Sequence, residues 1–211
     1  WRWWLSRRPE VLIPRERVFG IDGRLAADGT EEAALDEASV VAAVQAARAA
    51  GADGIVISLL HAYRNAAHEL AAKAIVQRVA PGLPVFTSAE VWPIIREYER
   101  TITAVISGYV QPRIENYLSS LQKALADVGI GCGLRVTKSN GGVMTADQAK
   151  SDCIQMVLSG TASGVIGAAY VARLAKLQNC LSLDVGGTSA DVALITDGEP
   201  RFGTGEFIGE F

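Results

Sequence analysis

Short apolar runs alternate with helical patterns along the first part of the chain, and that alternation confines the fold more than any other feature. Residues 55–60 (IVISLL) form a near-continuous apolar run, as expected of a strand buried on both faces. A strand covered on both sides needs helices above and below it. The flanks supply them. Asp36 is a good N-cap; Val40, Val41, Val44 and Ala47 then share one helical face, and Gly51 supplies the stop. Asn65 can cap a second helix over residues 66–79, which must end before Pro81. Residues 85–87 read as another strand. The expected class is α/β, with a mixed sheet and flanking helices. Ahead of these elements, residues 17–25 alternate and then turn, which predicts an edge hairpin.

The second half begins with a long helical stretch, residues 94–128, with Pro112 inside it and a kink expected near Gln111. Residues 134–138 read as a strand, Ser139-Asn140-Gly141-Gly142 as a tight turn, and Thr145 to Gln148 as a capping box for a short helix. Residues 154–158 read as a further strand and residues 160–177 as a helix rich in small residues. Strands over 181–185 and 191–196 follow. A division into residues 1–92 and 93–211 is expected, with its weakest point near 88–95.

Composition removes several function classes. Lys and Arg number 20 against 23 Asp and Glu, interspersed, so no basic track for nucleic acid is present. No apolar run approaches the roughly 20 residues of a membrane span. Cys132, Cys153 and Cys180 stand far apart without metal-ligand spacing, which fits reduced thiols in a cytoplasmic protein. The opening Trp1-Arg2-Trp3-Trp4-Leu5 is neither a Met start nor a signal sequence, and residues 205–211 stop in a strand pattern. Further segments are expected on both sides, with Trp1, Trp3 and Trp4 packing on them.

The chemistry concentrates in Leu183-Asp184-Val185-Gly186-Gly187-Thr188-Ser189-Ala190-Asp191-Val192. An apolar strand delivers Asp184 at its end, two glycines turn the chain, and a second strand leaves from Asp191. Gly186 and Gly187 let backbone N–H groups approach phosphate oxygens, and the Thr188 and Ser189 hydroxyls add donors. Ionised aspartates repel bare phosphate. Asp184 and Asp191 make sense as holders of Mg²⁺, directly or through its waters, or as groups that orient an attacking water. No GK[ST] follows and the glycines lead into a strand, so this is neither a P-loop nor a dinucleotide fingerprint. A plain hairpin with a Gly-Gly turn is the alternative. Gly187 is expected to need positive φ or clearance, because the chain must reverse within a few residues. In the preceding helix, Gly160, Gly164, Gly167 and Ala168 predict a close approach to a neighbour, either as core packing or as a hinge contact.

These two segments resemble the second phosphate hairpin and preceding helix of the actin-like (ribonuclease H-like) ATPases, a superfamily that includes sugar kinases and chaperone ATPases. More narrowly, the chain resembles the hydantoinase A/oxoprolinase/acetone carboxylase family. The segments that carry this are Leu59 to Asn65 with His68-Glu69, Arg96 to Thr101, Ser139 to Met144, Ser159 to Ala169 and Asp184 to Asp191, in the family's order. The resemblance implies a partial actin-like fold that uses ATP and Mg²⁺. It implies opening of a cyclic amide, or activation of a ketone before carboxylation, usually with a second hydantoinase B-type subunit or domain. It also implies a first phosphate hairpin upstream and an adenosine segment downstream, so these residues alone should not make a working enzyme. The family commonly has Pro where Thr161 stands, Thr where Ala190 stands and Gln near Lys138; Ala190 removes a hydroxyl beside the hairpin. A non-catalytic actin-like scaffold is the rival outside enzymes, and two aspartates argue against it.

Outside the hairpin, His61 ends the first strand, where open α/β sheets bind ligands. His61 and His68 lack metal-ligand spacing, so structural roles are favoured. The run Arg96-Glu97-Tyr98-Glu99-Arg100 reads as a solvated helix face, while the resemblance gives Arg100 a substrate-cleft role. Asn140, Gly141 and Gly142 are substrate or interlobe candidates, or a plain turn.

Overall fold

In the computed structural model, which describes residues 11–187 and 189–201, the first hairpin lies later than its alternation suggests. β1 (Arg24–Leu25) pairs antiparallel with β2 (Glu31–Ala33), while Arg15–Arg17 form a 3-10 turn. The turn chemistry lies between these strands: the Asp28 carboxylate accepts from Thr30 N and Oγ1 at 2.9 and 2.7 Å, and Gly29 takes φ +90°. The tryptophans at 1, 3 and 4 and the strand pattern at 205–211 lie outside the described residues.

α1 (Glu37–Ala49) starts where Asp36 dictates, its carboxylate accepting from Ala38 N and Ser39 N. It stops at Gly51, φ +75°. β3 (Ile55–Ile57) is followed by α2 (Ala67–Val79), which returns the chain to β4 (Val85–Thr87), parallel to β3 with Ile57 opposite Thr87. A helical crossover of this kind is the usual way to join parallel strands. β3 ends three residues before the apolar run does, because the Leu59 N–H donates to Glu69 and His61 turns the chain at φ +61°. α2 starts one residue later than expected, with Ala66 and not Asn65 at its N-cap; the Asn65 carboxamide still accepts from Ala67 N at 3.0 Å just ahead of the helix. Val40, Val44, Ile57, Ala72, Ile75 and Val76 make the core between α1, α2 and the strands.

α3 (Ser88–Val91) leads into α4 (Glu97–Asp127), which runs through Pro112 as one helix. Two compact units meet within α4, one ending at Gly108 and the other starting at Tyr109. Gly108 lets α4 approach β4 closely: a Cβ there would stand 2.9 Å from Phe86 Cδ2.

A buried polar network ties the first unit together. Glu69 and Arg100 are both 0% exposed. The Glu69 carboxylate accepts from Leu59 N, Ser88 Oγ and Ala89 N at 2.8, 2.6 and 2.9 Å. Arg100 donates to Ser88 Oγ, to Ile94 O and to Leu59 O at 2.9, 2.8 and 2.7 Å. Ser88 therefore bridges the two charges, and four elements are fastened to them. A buried charge persists only when its hydrogen-bonding capacity is met in this way.

In the second unit, β5 (Arg135–Thr137) pairs antiparallel with β6 (Val143–Thr145), a strand too short to show a period of its own in the sequence. Thr145 and Gln148 form the expected capping box on α5 (Ala146–Ser151). The strand expected at 154–158 does not form. Cys153–Met156 are a 3-10 turn and Leu158 takes φ +60°; a short apolar run cannot by its pattern alone choose between strand and buried turn. α6 (Ser159–Leu174) stops three residues early. Lys176 at φ +58° allows Leu177 N to bond Ala172 O and Lys176 N to bond Arg173 O, a Schellman ending built without glycine. β7 (Cys180–Val185), β8 (Ala190–Thr196) and β9 (Glu199–Pro200) form an antiparallel sheet in that order.

Ser88→Ala should cost about 1–3 kcal/mol in urea unfolding, since Glu69 and Arg100 each lose a partner in the core. Arg78→Ala, which breaks the exposed pair with Glu37, should cost less than about 1 kcal/mol. Glu90 gives a pH signature. Burial raises its carboxyl, but hydrogen bonds from Lys73 and Thr87 and the Lys73 charge outweigh burial and hold it below its usual 4.5. A depressed value means stability present above pH 4.5 and lost as pH falls through the folded value. Glu90→Gln should therefore lower the urea midpoint near pH 7, by less than about 1 kcal/mol, and the difference should fade in acid.

Candidate functional site

The β7–β8 register sets Asp184 directly opposite Asp191, with Val185 opposite Ala190. The Gly186 N–H donates to Ser189 O at 2.9 Å and closes the turn. Thr188 lies outside the described residues. Side chains alternate between two faces. Leu181, Leu183 and Val185 of β7 and Val192 and Leu194 of β8 are 50% to 69% exposed. Ser182, Asp184 and Asp191 turn toward α6. With Thr161, Gly164 and Val165 of α6, and Leu183, they line a cleft of about 200 Å³. Thr161 Oγ1 donates to Asp191 Oδ2 at 3.3 Å across it.

Thr161 and Ser182 were missed as cleft residues. Both were within reach of periodicity: Ser182 lies two positions from Asp184 on a strand, and Thr161 three positions from Gly164 on a helix.

Two glycine expectations are corrected. Gly187 has no positive φ, and a Cβ there would meet nothing within 4 Å among the described residues, so the reversal does not depend on it. Among the described residues, a Cβ on Gly160 or Gly167 would meet nothing within 4 Å and one on Gly164 only Asp184 Oδ2 at 3.9 Å, so core packing does not explain the small residues of α6. A close helix approach occurs at Gly108 of α4.

The Asn140-Gly141-Gly142 turn sits against α6. Asn140 Oδ1 accepts from Gly142 N at 3.0 Å, Gly141 takes φ +82°, and a Cβ on Gly141 would overlap Ile166 Cδ1. Arg100 and His61 belong to the first unit. Arg100 is enclosed in the polar network rather than on a solvated helix face or at a cleft surface. His61 is half-buried in the turn after β3, its carbonyl accepting from Arg64 N and Asn65 N. His68 is buried, its Nε2 2.7 Å from Glu31 Oε2, a structural tie between α2 and β2.

Among the described residues, no group of three or more His, Cys, Asp and Glu could hold a metal. A water-rich Mg²⁺ needs only one or two carboxylates, however, and the hard oxygens of Asp184, Asp191, Thr161 and Ser182 suit that ion. No helix among the described residues is long and apolar enough to cross a membrane.

A family model described as hydantoinase/oxoprolinase matches residues 100–210, and one described as hydantoinase/oxoprolinase N-terminal region matches residues 3–80. The chain belongs to the hydantoinase/oxoprolinase family. It is 36% identical to the acetone carboxylase beta subunit of Xanthobacter autotrophicus over 89% of this chain and 26% of that protein. It is 33% identical to the caprolactamase subunit alpha of Pseudomonas jessenii over 91% of this chain and 28% of that protein. The solved structure of nucleotide-free acetone carboxylase superposes with a TM-score of 0.83 at 36% identity, covering 92% of this chain and 28% of that one. The ATP-dependent caprolactamase of Pseudomonas jessenii gives 0.77 at 31%, covering 90% and 28%. The partial actin-like α/β fold expected from the sequence is thus the fold of this family member, and the chain spans about a quarter of the length of the curated relatives it matches.

The glycine findings give a paired expectation. Gly164→Ala should leave thermal stability unchanged or raise it by up to about 1 kcal/mol through helix propensity. Gly108→Ala should lower it by about 1–3 kcal/mol, because Phe86 must move.

Proposed function

We propose that the full-length protein is a Mg-ATP-dependent enzyme that opens a cyclic amide, and that the β7–β8 hairpin is one of its phosphate-binding elements. The observation that carries this reading is the pairing of Asp184 with Asp191 beside a cleft. Like charges directly opposite on a sheet destabilise it, and a bound cation turns that cost into affinity. ATP supplies a phosphoryl group that makes the substrate carbonyl reactive. The chain's own part is to hold and orient. Asp184 and Asp191 would hold Mg²⁺. Gly187, Thr188 and Ser189 would supply N–H and O–H donors for phosphate, Gly186 would shape the turn, and Gly160 and Gly164 would keep the neighbouring helix slim. Such donors stabilise charge on a transferring phosphoryl group at no cost in reorganisation.

In the first unit His61, past the carboxyl end of β3, is the candidate substrate contact, and Arg100 acts on that corner by holding the Leu59 carbonyl. The Asn140–Gly142 turn acts by seating α6. The division of the chain into residues 1–92 and 93–211 belongs to the same reading, as do a cytoplasmic location and a second, hydantoinase B-type subunit. The last is supported by relatives named as subunits of caprolactamase and acetone carboxylase.

A second reading, activation of a ketone for carboxylation, is favoured by the higher identity and TM-score with acetone carboxylase. ADP release by the full-length protein and its partner, stimulated by a lactam or hydantoin but not by a ketone, supports amide opening; the reverse supports the second reading. In either case Asp184→Asn should lower ATP turnover by on the order of a hundredfold, with a melting temperature unchanged or slightly raised, because Asp184 is exposed and its charge stands opposite Asp191. Wild-type turnover in that variant would reduce the hairpin to a structural element.

A further inference from the structure

We propose that Thr161 is a positioning residue for Asp191, and that it makes the two aspartates of the cleft unequal. The inference rests on the reading of the cleft as a Mg-nucleotide site. The register makes Asp184 and Asp191 cross-strand partners, so the sheet alone gives them the same standing. The hydrogen bonds do not. Thr161, on the first turn of α6, donates its hydroxyl to Asp191 Oδ2 at 3.3 Å. Among the described residues, no side chain donates to Asp184, whose Oδ2 faces the open side of Gly164.

The consequence is geometric. A free aspartate turns about χ1 and χ2 and offers either oxygen, or both, to a cation. Asp191 has one oxygen engaged by α6, which biases the carboxylate toward one orientation and leaves Oδ1 open as an acceptor. Asp184 keeps both oxygens. Thr161 and Asp191 are both half-buried and line the same cleft, where a hydrogen bond is less diluted by water than on the open surface. The hydroxyl also fastens the start of α6 to β8, so that an ion held at Asp191 is felt by the helix. Thr161 itself need not touch the nucleotide. It acts through the carboxylate.

The test uses the full-length protein and calorimetric titration with ATP at stepped Mg²⁺ concentrations. Thr161→Val keeps the shape and deletes the donor. It should raise the Mg²⁺ concentration needed for half-maximal ATP affinity about threefold to tenfold, the worth of one ordinary hydrogen bond. Thr161→Ser, which keeps the hydroxyl, should retain the wild-type requirement, and Thr161→Val should add nothing in an Asp191→Asn background. A merely structural role would lower the melting temperature in both backgrounds without moving the Mg²⁺ requirement. The proposal is overturned if Thr161→Val titrates as wild type, or if Thr161→Ser is impaired as much as Thr161→Val. Should Thr161→Val not fold, Thr161→Ser against Thr161→Ala decides by the same criterion. Wild-type protein that binds ATP without regard to Mg²⁺ would overturn the reading of the cleft as well. A normal Thr161→Val beside an impaired Asp184→Asn would overturn the role of Thr161 alone.

Discussion

The candidate site depends on the register of one antiparallel pair. With Val185 opposite Ala190, the aspartates face each other and point with Ser182 toward α6. A slip of one residue would put the two carboxylates on opposite faces of the sheet, so that only one could reach the cleft. The short turn resists that slip: Gly186 N is already bonded to Ser189 O, which leaves little chain to redistribute. The same alternation produces the exposed aliphatic face of β7 and β8. An antiparallel sheet usually turns its polar side to water; here the polar side is reserved for the cleft.

The first unit answers a different constraint, the burial of two opposite charges. Glu69 and Arg100 are acceptable in the core because Ser88 and backbone groups of Leu59, Ala89 and Ile94 satisfy them. The network pins the end of β3, the start of α3 and the approach to α4 to one another. Its charges are therefore architectural: they fix the corner at Leu59 that leads to His61. Replacing such a network with apolar residues can leave stability unchanged, whereas removing one member does not. That asymmetry explains why an arginine enclosed by protein still governs the shape of a loop at the surface.

Seen against these two constraints, the family relationship and the geometry bear on different questions. Matches over residues 3–80 and 100–210 establish the family and the fold. They leave the residues of the cleft undifferentiated. What sets Asp191 apart from Asp184 among the described residues is a hydroxyl on another element, 30 positions away in the chain.

Local chemistry was legible in the sequence wherever a side chain answers to its own backbone. Asp36 as a cap, Gly51 as a stop, the Thr145–Gln148 capping box and the strand–turn–strand around Gly186-Gly187 all follow from rules that span a few residues. What failed needed a partner from elsewhere. The apolar residues 154–158 lacked a neighbouring strand and became a 3-10 turn, and β6 became a strand only because β5 lies beside it. Gly108 stood out in no pattern, yet it is where Phe86 crowds a helix. Arg100 looked like one charge in a solvated run until the fold enclosed it, for burial is a property of the surrounding elements and not of the residue. The sequence by itself determined the local caps and turns and the order of residues in the β7–β8 hairpin. Tertiary structure decided which carboxylate is held, which glycine is crowded and which charge is buried, because each of these depends on atoms distant in the chain.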